Sequence, residues 1–245
     1  MTVIYGLTRL HYGADYLGYT IKSLAPFVRR HIILYSPTPT FGNYTELPNP
    51  DDRDTLMRVA FDAGGNGIEW IEGRPVEVAA AVRLYPDADM FIELDADEVI
   101  QPELARNLLS DYERGDLTAR IYRLPFLHFW RSFSYTCDDS AYPMRVYLPK
   151  AQGADMDYYP AEKGRIFHFG YARREADMRY KVALSVHRPE WRQEWWSDIW
   201  GAFPDRLTDL HPVCVDGFWN AQLYDKWQLP DFMCDHPYFG LDKIE

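Results

Sequence analysis

Between Val3 and about residue 115, short apolar runs alternate with stretches of helical periodicity, and this alternation constrains the fold more than any other feature of the chain. Val3-Ile-Tyr-Gly-Leu-Thr8 reads as a first strand. After the His11-Tyr-Gly13 turn, Leu17, Ile21 and Leu24 recur at helical spacing until Pro26 closes the segment. His31-Ile-Ile-Leu-Tyr-Ser36 is a compact second strand, followed by a loop rich in Pro, Thr, Gly and Asn as far as Pro50. Asp52 or Asp54 caps a helix through Ala63, which Gly64-Gly-Asn-Gly67 stops. Ile68–Glu72 is a third strand, and Pro75 suits the first turn of a helix carrying Val78, Ala79 and Val82. Met90–Leu94 is a fourth strand, and Pro102 starts a helix with Leu104, Leu108 and Tyr112 on one stripe. The pattern predicts an α/β fold, a mainly parallel sheet with helices on both faces. In such sheets ligands collect beyond the carboxyl ends of the strands.

From Ala119 the texture changes. Arg120–Trp130 and Met144–Leu148 are strand-like and joined by a polar loop, Ile166–Phe169 is a further short strand, and a helix is expected over Glu175–Ser185. The tail after Trp191 is rich in Trp, Phe, Asp and Pro, with little periodicity.

With 47% hydrophobic and 16% aromatic residues the chain can build a substantial core, which excludes wholesale disorder. Met1-Thr-Val-Ile leads straight into a strand without a visible signal peptide, and no apolar run approaches the roughly 20 residues of a spanning helix. Three cysteines, Cys137, Cys214 and Cys234, lack paired or metal-like spacing and read as free thiols. A soluble cytoplasmic protein is expected. The net charge of −11 disfavours nonspecific binding to polyanions, yet Lys163–Arg192 holds eight Lys/Arg against three Asp/Glu.

The apolar run Met90–Leu94 ends in three carboxylates, Asp95, Asp97 and Glu98. If the strand continues, Asp95 and Asp97 share one side of it. Two carboxylates there repel one another unless a cation lies between them. Oxygen ligands completed by phosphate suit Mg²⁺ or Mn²⁺. The segment therefore reads as a metal–diphosphate site in an enzyme that handles a nucleotide derivative, although aspartates also end strands and cap helices.

Leu94-Asp-Ala-Asp-Glu98, preceded by three strand–helix units, resembles the metal-binding Asp-x-Asp signature of GT-A (Rossmann-like) glycosyltransferases, particularly family-2-like members. The resemblance implies a GT-A-like domain over residues 1–190, with an aromatic C-terminal extension, 191–245, packed on it. It makes Asp97 a metal ligand and Asp95 its partner or the ribose contact. Glu98 then supports the site or orients the acceptor. Arg165-Ile-Phe-His-Phe-Gly-Tyr171 places His168 where many GT-A enzymes carry a late metal ligand, and Gly170 beside it would let phosphate approach the backbone. A core histidine bonded to backbone is the plainer alternative.

Arg173 or Arg174, with Lys181, can clamp a departing diphosphate, or else form salt bridges with Glu175 and Asp177. Topology places the donor base near Thr8 and Arg9 after the first strand and Tyr35 and Ser36 after the second. An inverting transfer needs a general base; Asp139 in the Cys137–Ser140 loop is the first candidate, with Asp157, Glu162 and Asp216 behind it. The implied reaction moves a sugar from a nucleotide donor, a UDP-sugar first, to an acceptor hydroxyl with Mn²⁺ or Mg²⁺. Leu229–Phe239 resembles C-terminal segments of bacteriophage and bacterial glycosyltransferases, which together with the basic stretch makes 5-hydroxymethylcytosine in DNA a candidate acceptor. Lipid, protein or glycan hydroxyls compete with it. So do three other activities: a sugar nucleotidyltransferase, a metal-dependent hydrolase and a noncatalytic binding domain.

Overall fold

The chain begins with β1 (Ile4–Leu10), α1 (Ala14–Leu24), β2 (Arg30–Tyr35), α2 (Arg53–Gly64), β3 (Ile68–Glu72), α3 (Val78–Leu84) and β4 (Met90–Glu93). There follow β5 (Glu98–Ile100), α4 (Pro102–Arg114), β6 (Ile121–Arg123), β7 (Phe126–Trp130), β8 (Tyr135–Asp138), β9 (Met144–Tyr147) and β10 (Met156–Tyr158). β11 (Ile166–Tyr171), α5 (Glu175–Leu184) and β12 (Gln222–Leu223) complete the order. The structure, a computed structural model, describes residues 2–39, 43–73, 78–138, 142–214 and 219–245. Two units emerge: Met1–Thr40, Asp51–Phe126 and Ser140–Phe167 make the first, and Phe41–Pro50, Leu127–Asp139 and His168–Glu245 the second.

The first unit is an α/β layer structure around a seven-stranded sheet of order β10-β6-β9-β4-β1-β2-β3. β1 runs parallel to β2 and β4, β2 to β3, and β10 to β6; β9 alone is antiparallel to its neighbours β4 and β6. The expected mainly parallel sheet flanked by helices is therefore present. Its alternation is visible in the packing. On one face Leu10, Ile33 and Tyr35 pack with Leu17 and Ile21 of α1 and Leu56 and Ala60 of α2. On the other, Tyr5, Leu7, Ile32, Leu34 and Phe91 enclose Ala81 of α3. Ile4, Met90, Ile92 and Val146 meet Leu104, Ala105 and Leu108 of α4 in a third cluster. Full burial of each such aliphatic side chain contributes about 1.5–3 kcal/mol before the entropy cost of ordering it.

Local signals set the helix ends. Asp52, not Asp54, caps α2, its side chain accepting from the Thr55 N–H at 2.7 Å. Pro102 occupies the first turn of α4, and Gly115 ends that helix with φ 78°. The single strand expected over Arg120–Trp130 is two, β6 and β7, because Leu124-Pro125 cannot continue a ladder. The short strands β5, β8, β10 and β12 carried too few residues for a periodic signal.

In the second unit β12-β8-β7-β11 lie side by side, with β7 and β8 antiparallel. Its core is aromatic: Trp130, Trp195, Trp200, Phe203 and Trp219 gather with Met178 of α5 and Leu210. Among the described residues no helix is long and apolar enough to cross a membrane.

Candidate functional site

β4 stops at Glu93, so the strand geometry expected for Asp95 and Asp97 does not hold: both lie in the turn between β4 and β5. The reason is local. Asp-Ala-Asp favours a turn, and the Glu98 N–H donates to the Asp95 carbonyl at 3.0 Å while the Asp95 N–H donates to Glu98 Oε2 at 3.1 Å. Helix α1 holds this turn from beneath. Thr20 Oγ1 donates to the Ala96 carbonyl at 2.8 Å, and Ser23 Oγ accepts from the Ile100 N–H at 3.3 Å. Carboxylate oxygens of Asp97 and Glu98 lie within 4.8 Å of one another. Asp97 and Glu98 are buried, whereas the Asp95 side chain is 42% exposed.

The position matches the topology. β2 and β3 extend the sheet on one side of β1, and β4 on the other, so the order reverses between β1 and β4. A crevice opens at such a switch point, outside the carboxyl ends of the two strands. The acidic turn follows β4 directly.

Arg145, on β9, is the part of this site that the sequence reading missed. Its guanidinium takes Glu98 in a two-pronged pair, Nε to Oε2 at 2.8 Å and Nη2 to Oε1 at 2.6 Å, and reaches Asp95 Oδ2 at 2.7 Å. The only signal was a charge inside an otherwise apolar strand, Met144-Arg-Val-Tyr147. Burial is the largest influence on Glu98. With Asp95 and Asp97 nearby it outweighs the pull of Arg145 and raises the carboxyl to about 8. The same acids hold the Arg145 guanidinium firmly charged against its own burial. Glu98 thus braces the turn through Arg145 and the Asp95 amide.

A second buried acid, Glu93, ends β4. It accepts from Arg9 Nε at 2.6 Å and from the Tyr147 hydroxyl at 2.8 Å. Arg9 keeps 32% of its side chain exposed at the end of β1. Thr8 is fully buried, its hydroxyl 2.9 Å from His31 Nε2. Tyr35 stacks on Trp70 with centroids 5.2 Å apart, and buried Ser36 donates to the Thr38 carbonyl at 2.7 Å.

In the second unit His168 faces His128, Nδ1 to Nδ1 at 2.6 Å. The room expected for phosphate over Gly170 is taken by side chains: a β-carbon there would collide with the His168 ring and the Lys181 ammonium. Lys181 donates to the Gly170 carbonyl at 3.2 Å, and Arg173 is buried. The rest of the basic stretch is largely paired: Lys163 with Asp111, Arg174 with Asp177, Arg179 with Glu175 and Arg192 with Asp209. It is not an open cationic surface. Asp139 and Asp216 lie outside the described residues; Asp157, on β10, and Glu162 are both exposed.

Asp97 offers an oxygen donor that suits a hard divalent cation, next to the Glu98 carboxyl that Arg145 and the Asp95 amide engage.

No family model matches the chain, and no curated protein does. Among solved structures it is similar to a mycobacterial protein, at 19% identity and TM-score 0.34, over 54% of this chain and 42% of that one. It is also similar to S. aureus TarS 1–349, at 8% identity and TM-score 0.41, over 76% and 65%. The same TarS fragment in complex with UDP aligns at 10% identity and TM-score 0.36, over 52% and 36%. The chain spans less than two thirds of each of these structures.

Proposed function

We propose that this protein is a GT-A-like glycosyltransferase that moves a sugar from a nucleotide donor, a UDP-sugar first, to an acceptor hydroxyl. One observation carries the reading: a turn bearing three carboxylates stands at the strand-order reversal of a mainly parallel sheet, where a diphosphate would bind. In this reading Asp97 and His168, with Asp95, hold Mn²⁺ or Mg²⁺. When bound, the cation would offset the charge that develops on the leaving nucleoside diphosphate. Arg145 and Glu98 fix the backbone of the turn, and Arg9 offers a cation at the mouth of the crevice. Arg173 and Lys181 are the proposed diphosphate contacts, and Thr8, Tyr35 and Ser36 shape the donor side. Asp139 is the proposed base.

The acceptor is open to direct test. DNA containing 5-hydroxymethylcytosine remains a candidate, but the pairing of the basic stretch weakens its support relative to a glycan, protein or lipid hydroxyl. A panel of UDP- and GDP-sugars with Mn²⁺, scored by mass spectrometry against modified DNA, unmodified DNA and generic acceptors, tests both donor and acceptor. Sugar transfer that Asp97→Asn lowers at least a hundredfold, with the variant still folded, is the expected result. Equal activity in Asp97→Asn would remove the proposed site.

A further inference from the structure

Two buried glutamates, Glu93 before the acidic turn and Glu98 at its end, are paired in different ways. Glu98 takes Arg145 by a two-pronged pair that uses Nε and Nη2. Glu93, 1% exposed, accepts from Arg9 Nε alone at 2.6 Å, and its other oxygen accepts from the Tyr147 hydroxyl at 2.8 Å. The three side chains stand on neighbouring strands, Tyr147 on β9, Glu93 on β4 and Arg9 on β1. Among the described residues the Arg9 side chain has no other hydrogen bond or ion pair, and 32% of it stays exposed. One nitrogen is therefore fixed, while Nη1 and Nη2 remain as an open fork of N–H donors. Such a fork matches two oxygens of one phosphate, which a lysine ammonium does not.

Stability alone does not account for the pair. Exchanging a buried ion pair for apolar residues of similar volume is often neutral or stabilising, whereas a guanidinium tethered through one nitrogen acquires a direction. Direction matters here because the acidic turn is adjacent. Leu7 pairs with Glu93, and the Leu94 N–H donates to the Leu7 carbonyl at 2.9 Å, so Arg9, two residues on, lies beside the chain entering the turn. An untethered guanidinium there would be drawn to the Asp95 carboxylate, which is 42% exposed. We propose that Glu93 and Tyr147 are positioning residues: they tether Arg9 by Nε, keep its guanidinium off the acidic turn and leave the Nη fork for a phosphate of the nucleotide donor. The phosphate part rests on the function proposed above; the tether rests only on the three side chains. Glu93 also matches the Arg9 charge, so the pair opposes a divalent cation at the turn far less than a lone guanidinium would.

The test uses the full chain. In metal-free protein with ¹⁵N-labelled arginine, the Arg9 Nε–H is expected to exchange slowly with water. Tyr147→Phe keeps the ring but removes the hydroxyl that holds Glu93, and should speed that exchange. Fast exchange in wild type, or a rate unchanged in a folded Tyr147→Phe, would overturn the tether. Calorimetric titrations of UDP and of inorganic pyrophosphate, both with Mn²⁺ present, then read the ligand. Arg9→Lys keeps the charge without the fork and should weaken both about tenfold. Tyr147→Phe should weaken both in the same direction by a smaller factor. A loss confined to UDP would put Arg9 on the nucleoside, and unchanged affinity for both would leave its fork unused; either result overturns the phosphate assignment. Failure of wild type to bind UDP would remove the function proposed above and the phosphate role with it, whereas slow Arg9 Nε–H exchange that Tyr147→Phe speeds would leave the tether standing.

Discussion

At the scale of single residues, the acidic turn depends on a cation supplied by the chain itself. Arg145 pairs with Glu98 by two hydrogen bonds and with Asp95 by a third, all at 2.6–2.8 Å. Removing one partner of a buried pair leaves the other uncompensated, at about 3–5 kcal/mol. Arg145→Met should therefore destabilise the protein, and the loss should depend on pH in a definite direction. The folded Glu98 carboxyl already lies above its ordinary 4.5, at about 8, and without Arg145 it rises further. A raised folded value gives stability that is complete below the unfolded value and disappears as pH rises through the folded one. Denaturation of Arg145→Met at pH 5 and pH 8 should show the larger penalty at pH 8. Equal penalties would mean that Glu98 does not depend on Arg145. Arg145 was barely legible in the sequence, because a lone charge in a short strand looks the same whether it faces solvent or a buried acid. The Asp95–Glu98 cluster was legible as an apolar strand ending in carboxylates, whereas the turn that carries it was not.

At the scale of elements, β1, β2 and α1 form the support for the turn, and their fit has a detail that residue patterns did not reveal. The His31 ring lies against the α-carbon of Gly6, where an added β-carbon would come within 3.1 Å of it. Full burial lowers the His31 pKa to about 3. The native state keeps this ring neutral while the unfolded chain protonates it below about 6.5. Its contribution is complete above about 6.5 and is lost as pH falls toward 3, by at most about 5 kcal/mol. Replacement by an uncharged residue of similar length, His31→Gln, should flatten the acid side of the stability profile between pH 6.5 and 4. An unchanged acid limb would place the acid sensitivity elsewhere. The starts of α1, α2 and α4 could be read from the Gly13 turn, the Asp52/Asp54 pair and Pro102 because caps and breakers act within a few residues. The split between β6 and β7 was harder, because a Leu-Pro pair inside an apolar run marks a break without saying that the halves join different sheets.

At the scale of the whole molecule, the two units differ in how much their sequences disclosed. The first is built from regular strand–helix units whose periodicity is visible without coordinates. The second places its core in loops, a short π-helical stretch at Trp195–Trp200 and tryptophans far apart in the chain. Arg131 ties its C-terminal end: its guanidinium donates to the Trp200 carbonyl at 2.6 Å and to the Ile244 carbonyl at 2.8 Å, and lies 4.3 Å from the Trp200 ring centroid. Arg131→Ala should cost on the order of 3 kcal/mol and open residues 226–245 to limited proteolysis. Protection equal to wild type would contradict that role. The central claim is that the turn after β4 grips a divalent cation through Asp97. Calorimetric titration of Mn²⁺ into the protein with UDP, compared between wild type and Asp97→Asn, tests it most directly. Saturable binding to wild type, weakened at least tenfold in a variant of unchanged fold, is predicted; equal binding by both proteins, or none by wild type, would contradict it.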